Sequence, residues 1–315
     1  MISAAFTVET QDTEKKMSAV AFKADKADKL ELNRALEAAI DPWLEHMRWR
    51  ADFEQWREGR IWQERKQANT LNHLRSFLRL HARAATTREA SASDSLAGKK
   101  VLDLGSGMGG LATALALAGA DVFPLDFNAE YCRITRLRGR RYDLDLRSVN
   151  AAGEALPFRA GYFDIIVCMD VLEHVQQPRK LVAEIHRCLK PGGVCQLTAI
   201  NRFAFKDPHY HARFVNWLPR RLATPYLRLA GVVKDNTRFA DRQTLEEMHY
   251  YRYGQLRRLF AREGFADLLD AGEMKIKQQL PGWKGMLQKT GLLPVCYSTY
   301  RSLIKSTYLV MAVKN

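Results

Sequence analysis

A doubly wound α/β fold with a mostly parallel sheet is predicted for this 315-residue chain. Two observations predict it. The apolar run Val101-Leu102-Asp103-Leu104 enters a glycine-rich turn, Gly105-Ser106-Gly107-Met108-Gly109-Gly110, and Leu111 to Ala118 then reads as a helix. Beyond it, short apolar runs keep alternating with helical stretches. That alternation calls for parallel strands with helices on both faces.

Taken in order, residues 1–26 are polar and mixed and read as a flexible tail. Residues 27–85 carry a charged helical pattern in which Trp43, Trp49, Trp56 and Trp62 recur as packing residues. With a Ser/Thr/Ala-rich linker at 86–95, they form an N-terminal extension, 27–95. The main domain spans 96–315. Its first five strands are expected at Lys100–Leu104, Asp121–Leu125, Arg147–Asn150, Phe163–Met169 and Val194–Ala199. Lys190-Pro191-Gly192-Gly193 acts as the stop before the fifth. Trp217 to Ala230 mixes Arg with Trp, Tyr and Leu and reads as an interfacial segment that Pro225 cuts into short helical pieces. A late helix is expected from Tyr253 to Gly264, and the last two strands at Asp267–Lys277 and Ser306–Lys314. Basic insertions occupy about 202–250 and 278–305.

The glycine turn lets backbone approach a ligand closely. Its spacing satisfies both a dinucleotide fingerprint and a methyltransferase-like pattern, and no Lys-Ser or Lys-Thr follows it as phosphate transfer requires. Asp103 would repel a pyrophosphate and attract an ammonium. Asp126, closing the second strand, suits ribose hydroxyls in either reading.

Further on, Glu154-Ala155-Leu156-Pro157-Phe158 precedes the strand ending Met169-Asp170-Val171-Leu172-Glu173-His174. The Leu181-to-Gly193 stretch then follows. From Lys99 to Asn201 this order resembles the class I S-adenosylmethionine-dependent methyltransferases, in particular the ubiquinone/menaquinone-biosynthesis-like, type 11 branch. The resemblance implies a Rossmann-like seven-stranded sheet and the cofactor S-adenosyl-L-methionine. It implies that Asp103, Gly105 and Gly107 hold the methionine part and Asp126 the ribose. The position that often carries an adenine-binding aspartate is Ala152, which leaves the backbone of Gly153 and Glu154 for that contact. Met169 would line the floor near the methyl group.

Methyl transfer to oxygen needs alignment and removal of a proton, and histidine is the usual base near neutral pH. His174 and His209 are the candidates, the latter in Asp207-Pro208-His209-Tyr210-His211. Glu173 reads as a helix-start acid. No further donor at ligand spacing joins His209 and His211, so no metal is expected. The implied activity is O-methylation of a hydroxyl on a small molecule, lipid or lipid-linked glycan. RNA methylation is the alternative, and a nicotinamide-dependent oxidoreductase or a non-catalytic protein of the same fold are the remaining ones.

Hydrophobic residues make up 47% of the chain, enough for a sizeable core, and no run of about 18 apolar residues is long enough to span a membrane. The first residues lack the apolar region of a secretion signal. Five cysteines with no Cys-x-x-Cys spacing read as reduced thiols. These features predict a cytoplasmic protein. Of its +14 net charge, most falls after residue 200, where 20 Lys and Arg face 9 Asp and Glu. An excess so local predicts an anionic partner: phosphate groups, nucleic acid, or the acidic inner face of a membrane met peripherally.

Overall fold

Four consecutive buried side chains, Val101 to Leu104, make the first strand, β1 (Lys100–Leu104), of the computed structural model. Burial on both faces is what a parallel strand between helical layers shows. The structure describes residues 26–48, 50–84, 95–231, 243–277 and 282–315. The tail expected over 1–26 (all but Lys26), linker residues 86–94 and Trp49 therefore lie outside the described residues. The chain divides into two compact units, one up to Ala152 and one from Gly153.

In the first unit, β1 pairs in parallel with β2 (Asp121–Asp126), Leu104 opposite Leu125, and β2 with β3 (Val149–Asn150). The glycine turn leads from β1 into α4 (Gly110–Leu117), whose first six residues are buried. The extension is helical as expected: α1 (Lys26–Leu44), α2 (Phe53–Ile61) and α3 (Ala68–Ala84). Leu36, Ile40 and Leu44 of α1 are buried with Ile134 of α5 (Ala129–Arg140), and Trp43 and Trp56 pack on that cluster. Burying each such side chain contributes roughly 1.5–3 kcal/mol. The tryptophans at these two positions thus pack helices, as their spacing predicts.

The second unit holds β4 (Phe163–Cys168), α6 (Pro178–Cys188), β5 (Leu189–Ile200), α7 (Arg220–Leu229), α8 (Tyr253–Arg262), β6 (Phe265–Asp270), α9 (Ala271–Lys277), α10 (Gly282–Lys289), α11 (Leu292–Leu303) and β7 (Thr307–Lys314). β4 runs parallel to β5, whereas β7 is antiparallel to both β5 and β6. The strand order β3-β2-β1-β4-β5-β7-β6 is the mostly parallel seven-stranded topology predicted.

Three features depart from expectation beyond shifts of one or two residues at element ends. Lys190-Pro191-Gly192-Gly193 does not precede β5 but loops out within it, the register passing from Leu189 to Val194 with Gly192 at φ 72°. The strand expected to Lys277 ends at Asp270, because Asp270 Oδ1 accepts from the backbone N–H of Gly272 (2.7 Å) and Glu273 (3.0 Å) and so starts α9. Pro225 sits inside α7 rather than breaking it. Pro225 and Arg221, whose carbonyl it leaves without a helical donor, are both exposed residues. Among the described residues no helix is long and apolar enough to cross a membrane.

Candidate functional site

In the first unit the glycine turn is held from both sides. Gly105 and Ser106 donate to the Leu125 carbonyl at 2.8 and 3.0 Å. Asp126 accepts from the backbone N–H of Gly107 (Oδ2, 2.8 Å) and of Asn128 (Oδ1, 2.9 Å). From α5, Thr135 Oγ1 donates to the Gly107 carbonyl (3.1 Å) and Arg138 Nε to that of Met108 (2.7 Å). Gly109, at φ 77°, has no room for a Cβ, which would meet Thr135 within 2.9 Å. At Gly107, φ 52°, an added Cβ would meet nothing within 4 Å, so the turn is open there. That combination of left-handed backbone and free space is what close approach of a ligand requires.

Asp103 sits beneath this turn and is buried. Its Oδ2 has no hydrogen-bond partner. Burial, reinforced by the charge of Asp126, pushes its carboxyl up to about 7. A buried carboxylate oxygen without a partner is costly. An ammonium group would satisfy it, so the residues present fit an amino-acid tail.

In the second unit the ligand atoms of Glu173, His174 and His209 lie within 4.8 Å of one another. Glu173 is buried, with Oε1 3.6 Å from His209 Nε2. The two imidazole rings meet edge to face at 5.2 Å. Gln243 braces His174, its Nε2 donating to the His174 carbonyl (2.6 Å) while its Oε1 lies 3.2 Å from Nδ1.

His209 is set by an Asx turn. Buried Asp207 accepts through Oδ1 from the backbone N–H of His209 (2.9 Å) and Tyr210 (2.7 Å). Its Oδ2 accepts from Tyr250 Oη (2.9 Å) and Asn216 Nδ2 (3.0 Å). Burial and the Asp207 charge push the Tyr250 phenol far above its ordinary value, so it stays a donor. Asp170, at φ 57°, forms a closed pair with Thr198: its N–H donates to Oγ1 (2.6 Å), which donates back to Oδ1 (2.8 Å). Desolvation and the nearby Glu173 charge hold its carboxyl above the usual range.

The two histidines read as alternative bases thus come together. His211 is exposed and stands outside the donor group. Glu173 is not a helix-start acid, since α6 begins only at Pro178. Its carboxylate turns inward to His209, supplying the third donor that spacing around His209 and His211 does not reveal. Gly153, Glu154 and Met169 are half-buried. Glu154 Oε1 accepts from the N–H of Gln176 (2.9 Å) and Gln177 (3.3 Å), which leads the chain into α6. Sequence reasoning missed Tyr250 and Gln243, and of Asp207 it gave the turn, through the Asp-Pro pair, but not the contacts.

Residues 102–197 match a family model described as a methyltransferase domain. Over 117 residues the chain is 43% identical to the ubiquinone biosynthesis O-methyltransferase of Psychrobacter arcticus, covering 36% of this chain and 46% of that protein. It is 42% identical to that of Thiobacillus denitrificans over 113 residues, 35% of this chain and 47% of that one. The chain spans about half the length of the curated relatives it matches. Among solved structures it is similar to an S-adenosylmethionine dependent methyltransferase from Mesorhizobium loti, with 17% identity, TM-score 0.45, and coverage of 73% of this chain and 99% of that one. The matched segment, residues 102–197, runs from β1 through the glycine turn into β5 and is similar to a methyltransferase domain.

Proposed function

We propose that the protein is an S-adenosyl-L-methionine-dependent O-methyltransferase acting on a hydroxyl of a small molecule, lipid or lipid-linked glycan. The observation that carries the reading is Asp103. It is a buried carboxylate with an orphaned oxygen beneath an open glycine turn, within the segment that matches the methyltransferase family. In this reading Asp103, Gly105 and Gly107 hold the methionine part of the cofactor and Asp126 the ribose. Gly153 and Glu154 offer backbone to the adenine, and Met169 lines the floor.

When bound, S-adenosyl-L-methionine supplies an electrophilic methyl group, so the protein's part is alignment and proton removal. His209 is the base. Asp207 fixes its backbone, and the buried Glu173 carboxylate faces its Nε2 edge and stabilises the imidazolium formed when the acceptor hydroxyl gives up its proton. His174 flanks it and orients the acceptor. The relatives' printed name supports a small-molecule acceptor, and the basic segment after residue 200 supports work on an anionic one, at the inner face of the cytoplasmic membrane or in solution.

Two experiments test this. Calorimetric titration with S-adenosylhomocysteine and with NADH should show binding of the first alone; the reverse would overturn the reading. Mass spectrometry of cell extracts incubated with labelled cofactor and the protein should reveal a methylated hydroxyl. Label recovered in RNA instead would move the acceptor to nucleic acid.

A further inference from the structure

Three arginines gather beside the His209 cluster in the second unit. The backbone brings two of them together. Residues 250–252 run alongside the end of β5, with Asn201 bridged in parallel to Tyr251 and the Arg202 N–H donating to the Tyr251 carbonyl (2.9 Å). That register sets Arg202 next to Arg252, and both guanidinium groups lie over the ring of Phe203, at 5.7 and 4.9 Å. Arg202 donates to the carbonyls of Asn216 and Leu218 (2.9 Å for the latter), the chain that enters α7. The third, Arg220, begins α7 and lies over the ring of Tyr250 at 4.4 Å. Tyr250 in turn is 6.5 Å from the His209 ring, centroid to centroid.

Arg220 is the informative member. Its Nη1 is buried and has no hydrogen-bond partner. Among the described residues no carboxylate lies within ion-pair distance of Arg202, Arg220 or Arg252. A guanidinium does not lose its proton, so it cannot escape burial by neutralising itself. Burial first and the neighbouring Arg202 charge next act against the Arg220 cation, only partly offset by the more distant charges of Asp207 and Glu246, and burial and Arg252 act against Arg202. Like charges held together with an unpaired buried N–H are costly for the folded chain alone. An anion that accepts from them removes the cost.

We propose that Arg220, supported by Arg202 and Arg252, seats a phosphate group carried by the acceptor, next to the hydroxyl that His209 deprotonates. A phosphate offers the planar fork of an arginine two oxygens at once. That the phosphate belongs to a methyl acceptor rests on the proposed methyltransferase function; the phosphate seat itself does not. A soluble phosphate ester and a phospholipid headgroup share this chemistry, and their sources are separable.

The test titrates the full chain with glycerol 3-phosphate at constant ionic strength by calorimetry. In parallel the chain is sedimented with phosphatidylglycerol vesicles and with phosphatidylcholine vesicles. Saturable binding of glycerol 3-phosphate, weakened tenfold or more in Arg220→Gln and several-fold in Arg252→Gln, is expected. Exposed Arg228 is the control, and Arg228→Gln should bind as the parent does. Should Arg220→Gln lose its circular dichroism signal, Arg252→Gln, on an exposed side chain, decides. Phosphatidylglycerol vesicles bound through Arg220 and released by glycerol 3-phosphate would assign the phosphate to a lipid; binding of the soluble ester without vesicles would assign it to a small molecule. Absence of saturable binding, or equal affinity in all variants, overturns the proposal. S-adenosylhomocysteine titrated in the same samples keeps the two readings apart. Its binding with no phosphate binding removes only the seat, and the converse leaves the seat standing and removes the methyltransferase.

Discussion

Glu173 and His209, 36 positions apart, meet with Oε1 3.6 Å from Nε2, and Glu173 Oε2 has no hydrogen-bond partner. A buried carboxylate facing an imidazole steadies the cation that forms when the ring takes a proton. His209→Ala should therefore lower the methyl-transfer rate about a hundredfold or more, the usual range for a lost base, with S-adenosylhomocysteine binding unchanged. Glu173→Gln should lower the rate by a smaller factor through the same step. Single-turnover kinetics with labelled cofactor read both. An unaltered rate in His209→Ala would shift the base to His174.

Asp126 holds two backbone N–H groups, those of Gly107 and Asn128, across the mouth of the glycine turn. Asp126→Ala leaves both without an acceptor and removes the carboxylate offered to the ribose. Hydrogen bonds to a charged group contribute about 1.5–3 kcal/mol each. The dissociation constant for S-adenosylhomocysteine should rise at least about tenfold, measured by calorimetry. Unchanged affinity would remove Asp126 from the ribose role.

The contrast between these two sites shows what was readable in the chain. Asp103, the glycine turn and Asp126 lie within 24 consecutive residues, and local strand and turn chemistry fixes their places, so pattern alone positions them. The second cluster draws Glu173 and His174 from the turn after β4, His209 from the loop after β5 and Gln243 from well beyond, and only the fold joins them. Asp207 was visible as a turn residue, yet its second oxygen, held by Tyr250 and Asn216, was not. The strand expected to reach Lys277 failed on one side chain, Asp270, whose oxygen caps a helix more favourably than it continues a sheet.

Asp103 makes stability depend on pH in an unusual direction. Its carboxyl is raised from an ordinary value of 3.8 to about 7, chiefly by burial. The folded chain thus binds a proton that the unfolded chain has released. Stability from this group is complete below the unfolded value and is lost as pH rises through about 7. A shift of this size corresponds to a loss on the order of 4 kcal/mol between the two limits. Asp103→Asn should flatten that slope in denaturant titrations at pH 5 and 8 and be the more stable chain at pH 8. An ammonium-bearing ligand needs the ionised form, so the parent should bind S-adenosylhomocysteine about tenfold more weakly at pH 6 than at pH 8. Parallel curves for parent and variant would refute the assignment.

Glu64 ties the extension to the glycine turn. Within the first unit its carboxylate accepts from Arg138 Nη1 (2.5 Å), Arg141 Nη1 (3.3 Å) and Tyr142 Oη (2.8 Å), all buried. Arg138 also donates to the carbonyls of Arg60, Ile61 and Met108, the last inside the turn. Burial works against both guanidinium groups, and the Glu64 carboxylate opposes it. Removing one partner of a buried pair costs about 3–5 kcal/mol, because the other charge is left uncompensated. Glu64→Gln keeps the shape and loses the charge, so its cost in urea titrations should fall in that range. The loss should spread to the turn, weakening S-adenosylhomocysteine binding even though residue 64 belongs to the extension. Full stability in Glu64→Gln would mean that the backbone carbonyls alone hold Arg138.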